Sequence, residues 1–553
     1  MTTLDLAILV AFLFAVAAVS LYASRGEKDR ADYFLAGRGL SWWLIGFSLI
    51  ASNISTEHFV GMTGNAARSG LAVASYEWLA APALVFVAWW LLPKFLAAGI
   101  YTIPEFLEDR FDRATRSILA VLMAVFFVLT VLATVLYSGA TFLSNVLDIP
   151  GWLIDEHGLE AEAAKSRAFT LCVWGIGLAA SVYTILGGLK AVVWSDLIQG
   201  SALLAGGVLV GWLALVELGA GGGVMRGWEV FRAENAERLH VVRAWNDPDV
   251  PSLSLVSGLW IPVMFYWGLN QFITQRTLAA GSLSEGQKGL FFAGFIKLFL
   301  PLIVVLPGMM AVQILGTRLD ATELDGAYPL LLRELLPAGL FGLMLAAIAG
   351  SVMSTFNSGL NSAATIISLD LWTTHVNPDL DERGAVRLGR MVTAVVAVLA
   401  CLWAPVIKSF DGVFDYIQEF WGFVSAPTCA VFAIGLARPF AGAITAKFAL
   451  LCGPLLYLLS RAPSWIYSDA EAASAGGLVQ ALHAYASMSF LYHMFILFLV
   501  LVGCMLVLER LRPRAQAWTL PNNAKVDLQP HRFAGPIGML VLLSTGTLYA
   551  LFW

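Results

Sequence analysis

Apolar runs long enough to cross a ~30 Å hydrocarbon core recur along the whole chain. Fourteen are read: Leu4–Ser24, Trp43–Ala66, Ala72–Leu92, Ile118–Val146, Ala168–Leu186, Ala191–Val216, Val256–Phe272, Gly289–Leu315, Gly339–Trp372, Met391–Val406, Val413–Leu436, Ile444–Leu459, Phe490–Leu508 and Ile537–Trp553. The pattern predicts an all-α integral membrane protein of 14 transmembrane helices, with residues 1–553 as one transmembrane domain. The first run has no Lys or Arg before it and is followed by Arg25, Lys28 and Arg30, so it reads as a retained span, not a signal peptide.

The connecting loops orient these spans. With the N-terminus outside, the expected inner loops hold 21 of the 33 Lys and Arg, including Lys190, Arg276 and Lys288, and the outer loops hold 11. Positive charge favours the cytoplasmic side. Both termini are therefore expected outside the cell membrane.

Composition agrees with a lipid-facing chain: 59% of residues are hydrophobic and 13% charged, with 19 Trp. A soluble domain carries roughly 45–50% apolar and about 25% charged residues. A net charge of −5 gives no support for nucleic-acid binding. The five Cys lie in or beside apolar runs, without metal-ligand spacing, and read as small hydrophobes.

Two spans depart from plain lipid-facing helices. Trp43–Ala66 is polar and β-branched at its centre, Ser48 to His58. Non-helical backbone at membrane depth occurs where it lines a cavity or packs in protein, and broken helices of this kind carry ion and substrate sites in transporters. A helix buried on all sides, its polar groups satisfying one another, fits the same pattern. In Gly339–Trp372, Ser351, Ser354, Thr355, Ser358 and Asn361 recur at steps of three and four and share one face. Their oxygens, with freed carbonyls near Ala51 and Ile54, suit a hard monovalent cation such as Na⁺. A small-residue stripe for close helix packing is the alternative, and spacing alone does not separate the two. Ionisable residues within spans are few: Glu57, His58, Glu77, Asp196 and Lys297, with Asp415 and Glu419 near a span end.

Tyr33–Trp43, Ala51–Met62, Tyr101–Phe106, Gly187–Asp196, Tyr266–Gln271, Gln275–Ala280 and Tyr416–Glu419 carry a resemblance over nearly the whole chain. In these stretches the chain resembles the sodium/solute symporter family, and within it the sodium/glucose (galactose) cotransporters. The resemblance implies two inverted five-helix repeats of the leucine-transporter type, residues 43–216 and 256–436. One extra span, 4–24, precedes them and three, 444–553, follow. It implies a Na⁺ site at Ala51, Ile54, Ser351, Ser354 and Thr355. Asp196, Asn357 and Ser358 would form an exit route or second Na⁺ site, with Asn357 standing where a hydroxyl is expected. The solute site would use Asn53, His58, Glu77, Lys297 and Gln418, with Tyr266 as inner gate and Met62, Tyr76, Trp267 and Phe414 as apolar walls. Val263 and Ala80 stand where some relatives carry polar groups. The implied activity is import of a sugar-like solute with Na⁺, with no enzymatic chemistry. Inositol, another polar solute, or a sugar sensor without transport are the alternatives.

Overall fold

Backbone in hydrocarbon must satisfy its own N–H and C=O groups, and a helix does so within one segment. The computed structural model is accordingly helical. It describes residues 1–25, 29–247, 250–319, 324–409 and 413–553, excluding the side chains of Asp325, Ser409, Val413, Phe414, Asp415 and Gln418. No strand occurs among the described residues. Twelve helices there are long and apolar enough to cross a membrane.

In chain order the helices that matter are α1 (Thr3–Ala23), α2 (Trp42–Asn53), α3 (Glu57–Ala98), α4 (Arg113–Val146) and α5 (Ala161–Leu218). They continue with α6 (Ser252–Leu278), α7 (Leu283–Arg318), α8 (Leu340–His375), α9 (Glu382–Lys408) and α10 (Val413–Ala437). The chain ends with α11 (Ala443–Ile466), α12 (Phe490–Leu511) and α13 (Ala534–Leu551). Helix α2 packs on α5 and α7, and α5 packs on α8. Helix α1 covers α5 and α8, α13 covers α3 and α7, and α10 packs on α11 and α12.

Helix α8 is the most enclosed of the spans, with 89% of its apolar window buried, whereas the corresponding figure for α1 is 17%. The polar stripe on α8 is therefore inside the bundle, where each hydroxyl needs a partner, and α1 faces lipid. The 58 residues of α5 would extend about 87 Å as one helix, roughly three times the hydrocarbon core. The run is broken at Gly188, with φ 48° and ψ −148°, inside the short connection expected between 186 and 191. A Cβ on Gly188 would stand 2.3 Å from the Tyr33 carbonyl oxygen. Gly188→Ala thus meets both a left-handed φ and a backbone clash. It should cost at least about 1–3 kcal/mol of stability, measured as a lower unfolding midpoint of the detergent-solubilised protein.

The loop 512–533, between α12 and α13, lies against several other segments. The Arg514 N–H donates to Phe440 O at 2.8 Å, and Arg514 Nη1 to Arg110 O at 3.0 Å. Asn523 N donates to Ala97 O, Leu283 N to Asp527 O, and His531 N to Gln287 Oε1, each at 2.8 Å.

The structure corrects one expectation about the loops. Arg276, counted as an inner-loop charge, sits in the helical segment Gln271–Leu278 with 0% exposure. The span expected to end at Phe272 continues to Leu278 after a break at Asn270, and this carries Arg276 into the bundle.

Candidate functional site

Helix α2 stops at Asn53, and Ile54 is extended at φ −81°, ψ 115°. Beyond it, the Ser55 N–H turns to His58 Nδ1 (3.4 Å) and the His58 N–H to Ser55 O (3.0 Å). The carbonyls of Ala51 and Ile54 are thereby released from the helical ladder, as the polar, β-branched sequence there suggested. A second break faces the first. In α6 a π-turn over Phe265–Leu269 ends at Asn270, φ −82° and ψ 122°, whose side-chain oxygen caps the next segment by accepting from Phe272 N at 3.1 Å. Sequence reading missed this break, although Gly268 and Asn270 in an apolar run were its signal.

The two breaks meet at a cavity of about 220 Å³. Eight of the ten residues expected at the solute site line it: Asn53, His58, Met62, Tyr76, Glu77, Tyr266, Trp267 and Lys297. Phe414 and Gln418 fall outside the described side chains. Lys297, on α7 and 1% exposed, hydrogen-bonds the Glu77 carboxylate and Asn53 Oδ1, and its Nζ stands 5.0 Å from the centre of the Trp267 ring. His58 Nε2 lies 3.3 Å from the other Glu77 oxygen. Asn53 Nδ2 donates to the Tyr266 hydroxyl at 3.0 Å, and the Tyr266 ring stacks on Trp421 at 5.3 Å. A buried ammonium is tolerated only with such compensation. The result is a chain of linked donors and acceptors, Tyr266–Asn53–Lys297–Glu77–His58, between aromatic faces.

Val263 lines the cavity one turn before Tyr266, so that position is apolar in fact as in sequence. Ala80, fully buried, is not part of the lining. Lining residues not assigned from sequence include Glu57, Thr130, Thr134, Asn270 and Trp421. Trp421 follows Gln418 by three residues, close to one helical turn. Thr130 and Thr134, four apart in an apolar span, share a face of α4.

The expected Na⁺ ligands are all buried, from 0% to 5% exposed. Thr355 Oγ1 donates to Ser52 O at 3.0 Å, joining α8 to the end of α2. Ser351 Oγ turns back to Ile348 O (2.7 Å), and Ser354 Oγ donates to Asp196 Oδ1 (2.6 Å). Thr355 also lines the solute cavity, so the two candidate sites share a wall.

Asp196 is fully buried and faces Arg276, whose Nη2 lies 3.5 Å from Oδ2, in a ring of hydroxyls from Ser48, Ser52 and Ser354. Arg276 also donates to Ser48 Oγ at 2.7 Å and to the Ser358 hydroxyl. Asn357 donates to the Tyr183 hydroxyl instead of facing Asp196. Removing one partner of a buried ion pair leaves an uncompensated charge. Arg276→Met should therefore cost about 3–5 kcal/mol, and adding Asp196→Leu should recover most of it. Thermal unfolding of the single and double variants checks this.

Residues 33–453 match the sodium:solute symporter family. The chain belongs to that family. The symporter is 38% identical over 455 residues to a sodium/glucose cotransporter of Vibrio parahaemolyticus, covering 78% of this chain and 80% of that one. It is 33% identical over 533 residues to an uncharacterized symporter of Escherichia coli, covering 96% and 88%. It is 31% identical over 493 residues to human sodium/myo-inositol cotransporter 2, covering 84% and 70%. The solved structure of a Na⁺-coupled sialic acid symporter in a substrate-bound outward-open state superposes with a TM-score of 0.75 at 21% identity. That match covers 93% of this chain and 99% of that one, and it establishes a shared fold. The protein is a multi-pass membrane symporter for Na⁺ and a solute.

Proposed function

We propose that the symporter imports an uncharged monosaccharide of the glucose or galactose type together with Na⁺, by alternating access in the cell membrane. The linked chain Tyr266–Asn53–Lys297–Glu77–His58 carries this reading. A hexose offers hydroxyls that both donate and accept, and apolar ring faces. The cavity matches it with amide, ammonium, carboxylate and imidazole groups between Trp267, Tyr76 and Met62. Gln418 and Phe414 complete the proposed site, and similarity to the Vibrio sodium/glucose cotransporter supports the substrate class.

Na⁺ would bind between the freed carbonyls of Ala51 and Ile54, the Ser351 carbonyl and the hydroxyls of Ser354 and Thr355. The cation would take lone pairs of those hydroxyl oxygens, whose O–H groups already donate to Asp196 and Ser52 and so leave the lone pairs free. The cation then ties α2 to α8 and orders the solute wall through Thr355. Asp196, Asn357 and Ser358 lie along its way inward. One charge entering down ~100 mV supplies about 2.3 kcal/mol, and a tenfold Na⁺ gradient roughly 1.4 more.

The fold we propose has fourteen spans with both termini outside, and inverted repeats at 43–216 and 256–436. Breaking α5 at Gly188, and counting α2 with the start of α3 as one interrupted span, reconciles twelve long helices with that number. The protein acts as a carrier, not an enzyme. A second reading, myo-inositol as the solute, is favoured by similarity to the human sodium/myo-inositol cotransporter. Uptake of labelled galactose and myo-inositol into proteoliposomes, each with and without an inward Na⁺ gradient, decides between them. Uptake of neither overturns both readings.

A further inference from the structure

The carboxyl groups of the solute cavity are unevenly paired. Among its described lining residues the ionisable side chains include two carboxyls, Glu57 and Glu77, the amine of Lys297 and the imidazole of His58. Glu77 is committed to Lys297 and to His58. Glu57, the residue before His58, reaches the other wall beside Thr134 of α4 and is in no ion pair among the described residues. The lining also holds two buried polar atoms without a hydrogen-bond partner among the described residues, Thr130 Oγ1 on α4 and Asn270 Nδ2 on α6, each on a residue 1% exposed. Polar atoms so placed carry a desolvation cost until something in the cavity bonds them. A carboxylate, a hydroxyl and an amide N–H together complement neutral hydroxyls, which donate to the first and accept from the last.

We propose that Glu57 is the charge filter of this cavity: it accepts hydrogen bonds from an uncharged polyhydroxy solute and excludes solutes that carry a carboxylate. The inference rests on reading the cavity as the solute site. With Glu57 ionised, His58 neutral and Na⁺ beside Thr355, a neutral solute leaves the loaded cavity without net charge, whereas an anionic sugar brings a second uncompensated carboxylate against Glu57. Repulsion between two unit charges a few ångströms apart in a partly wet site weakens binding by roughly tenfold to a hundredfold.

The test is competition against Na⁺-driven uptake of galactose or myo-inositol, whichever the wild-type protein transports, in proteoliposomes. In the wild type, methyl galacturonate, which is neutral, should inhibit at least about tenfold more strongly than galacturonate, the free acid. In Glu57→Gln uptake of the neutral solute should fall with the lost acceptor, and the ester-to-acid preference, taken as a ratio of inhibition constants within that variant, should shrink to within about threefold; Glu57→Asp should restore it. Equal inhibition by acid and ester in the wild type overturns the proposal. So does a preference that Glu57→Gln leaves unchanged. If Glu57→Gln does not fold, the wild-type ester-to-acid contrast and its retention in Glu57→Asp decide the matter. Failure of the wild type to take up either neutral solute is a different result, and it counts against the proposed function.

Discussion

Replacing Lys297 by Met should abolish Na⁺-driven solute uptake while the protein still reaches the membrane. Lys297 is the centre of the polar chain, bonded to Glu77 and to Asn53 and nearly without exposure. Its loss removes charge-assisted hydrogen bonds worth about 1.5–3 kcal/mol each, so transport should fall by more than about a hundredfold. It also leaves the Glu77 carboxylate buried without its cation, a structural cost of about 3–5 kcal/mol. The two effects separate in a double-mutant cycle. Lys297→Met with Glu77→Leu should regain most of the unfolding midpoint lost by Lys297→Met alone and none of the uptake. If uptake returned with stability, Lys297 and Glu77 would be a structural pair and not solute ligands.

Converting Ser354 and Thr355 together to Ala and Val should raise the half-saturating Na⁺ concentration by about one to two orders of magnitude per hydroxyl removed. Coupling is reciprocal, so the factor by which Na⁺ tightens solute binding must shrink along with the factor by which solute tightens Na⁺ binding. The sign is informative because Thr355 lines the solute cavity and also belongs to the proposed Na⁺ site. A variant that lost solute affinity equally with and without Na⁺ would place Thr355 in the solute wall alone. Solute binding by isothermal calorimetry at several Na⁺ concentrations makes the comparison.

The interruption of the second span was legible because its polar centre, Ser48 to His58, has no other economical place in hydrocarbon. Most of the cavity followed from it once motif matches supplied partners on other helices. The break at Asn270 was harder to see. Its neighbours Phe265 to Leu269 are apolar, and a π-turn leaves no periodic trace in so short a run. Arg276 was misread for a related reason: hydropathy scores an arginine as a loop residue, whereas its burial depends on Asp196, eighty positions away in sequence. Glu57 was visible as an ionisable group within a span, but its role depends on which groups around it are already paired. That accounting exists only in three dimensions.

The loop between α12 and α13 has a mechanical consequence. Through Arg514, Asn523, Asp527 and His531 it touches the neighbouring ends of α3, α7 and α10 and the short helix Ile103–Arg110. These elements come from distant parts of the chain, and one strip of chain laces them together at one face of the bundle. Such a collar ties the ends it touches into one frame, so in a transport cycle they are expected to move together, leaving the interrupted ends of α2 and α6 to shift against them.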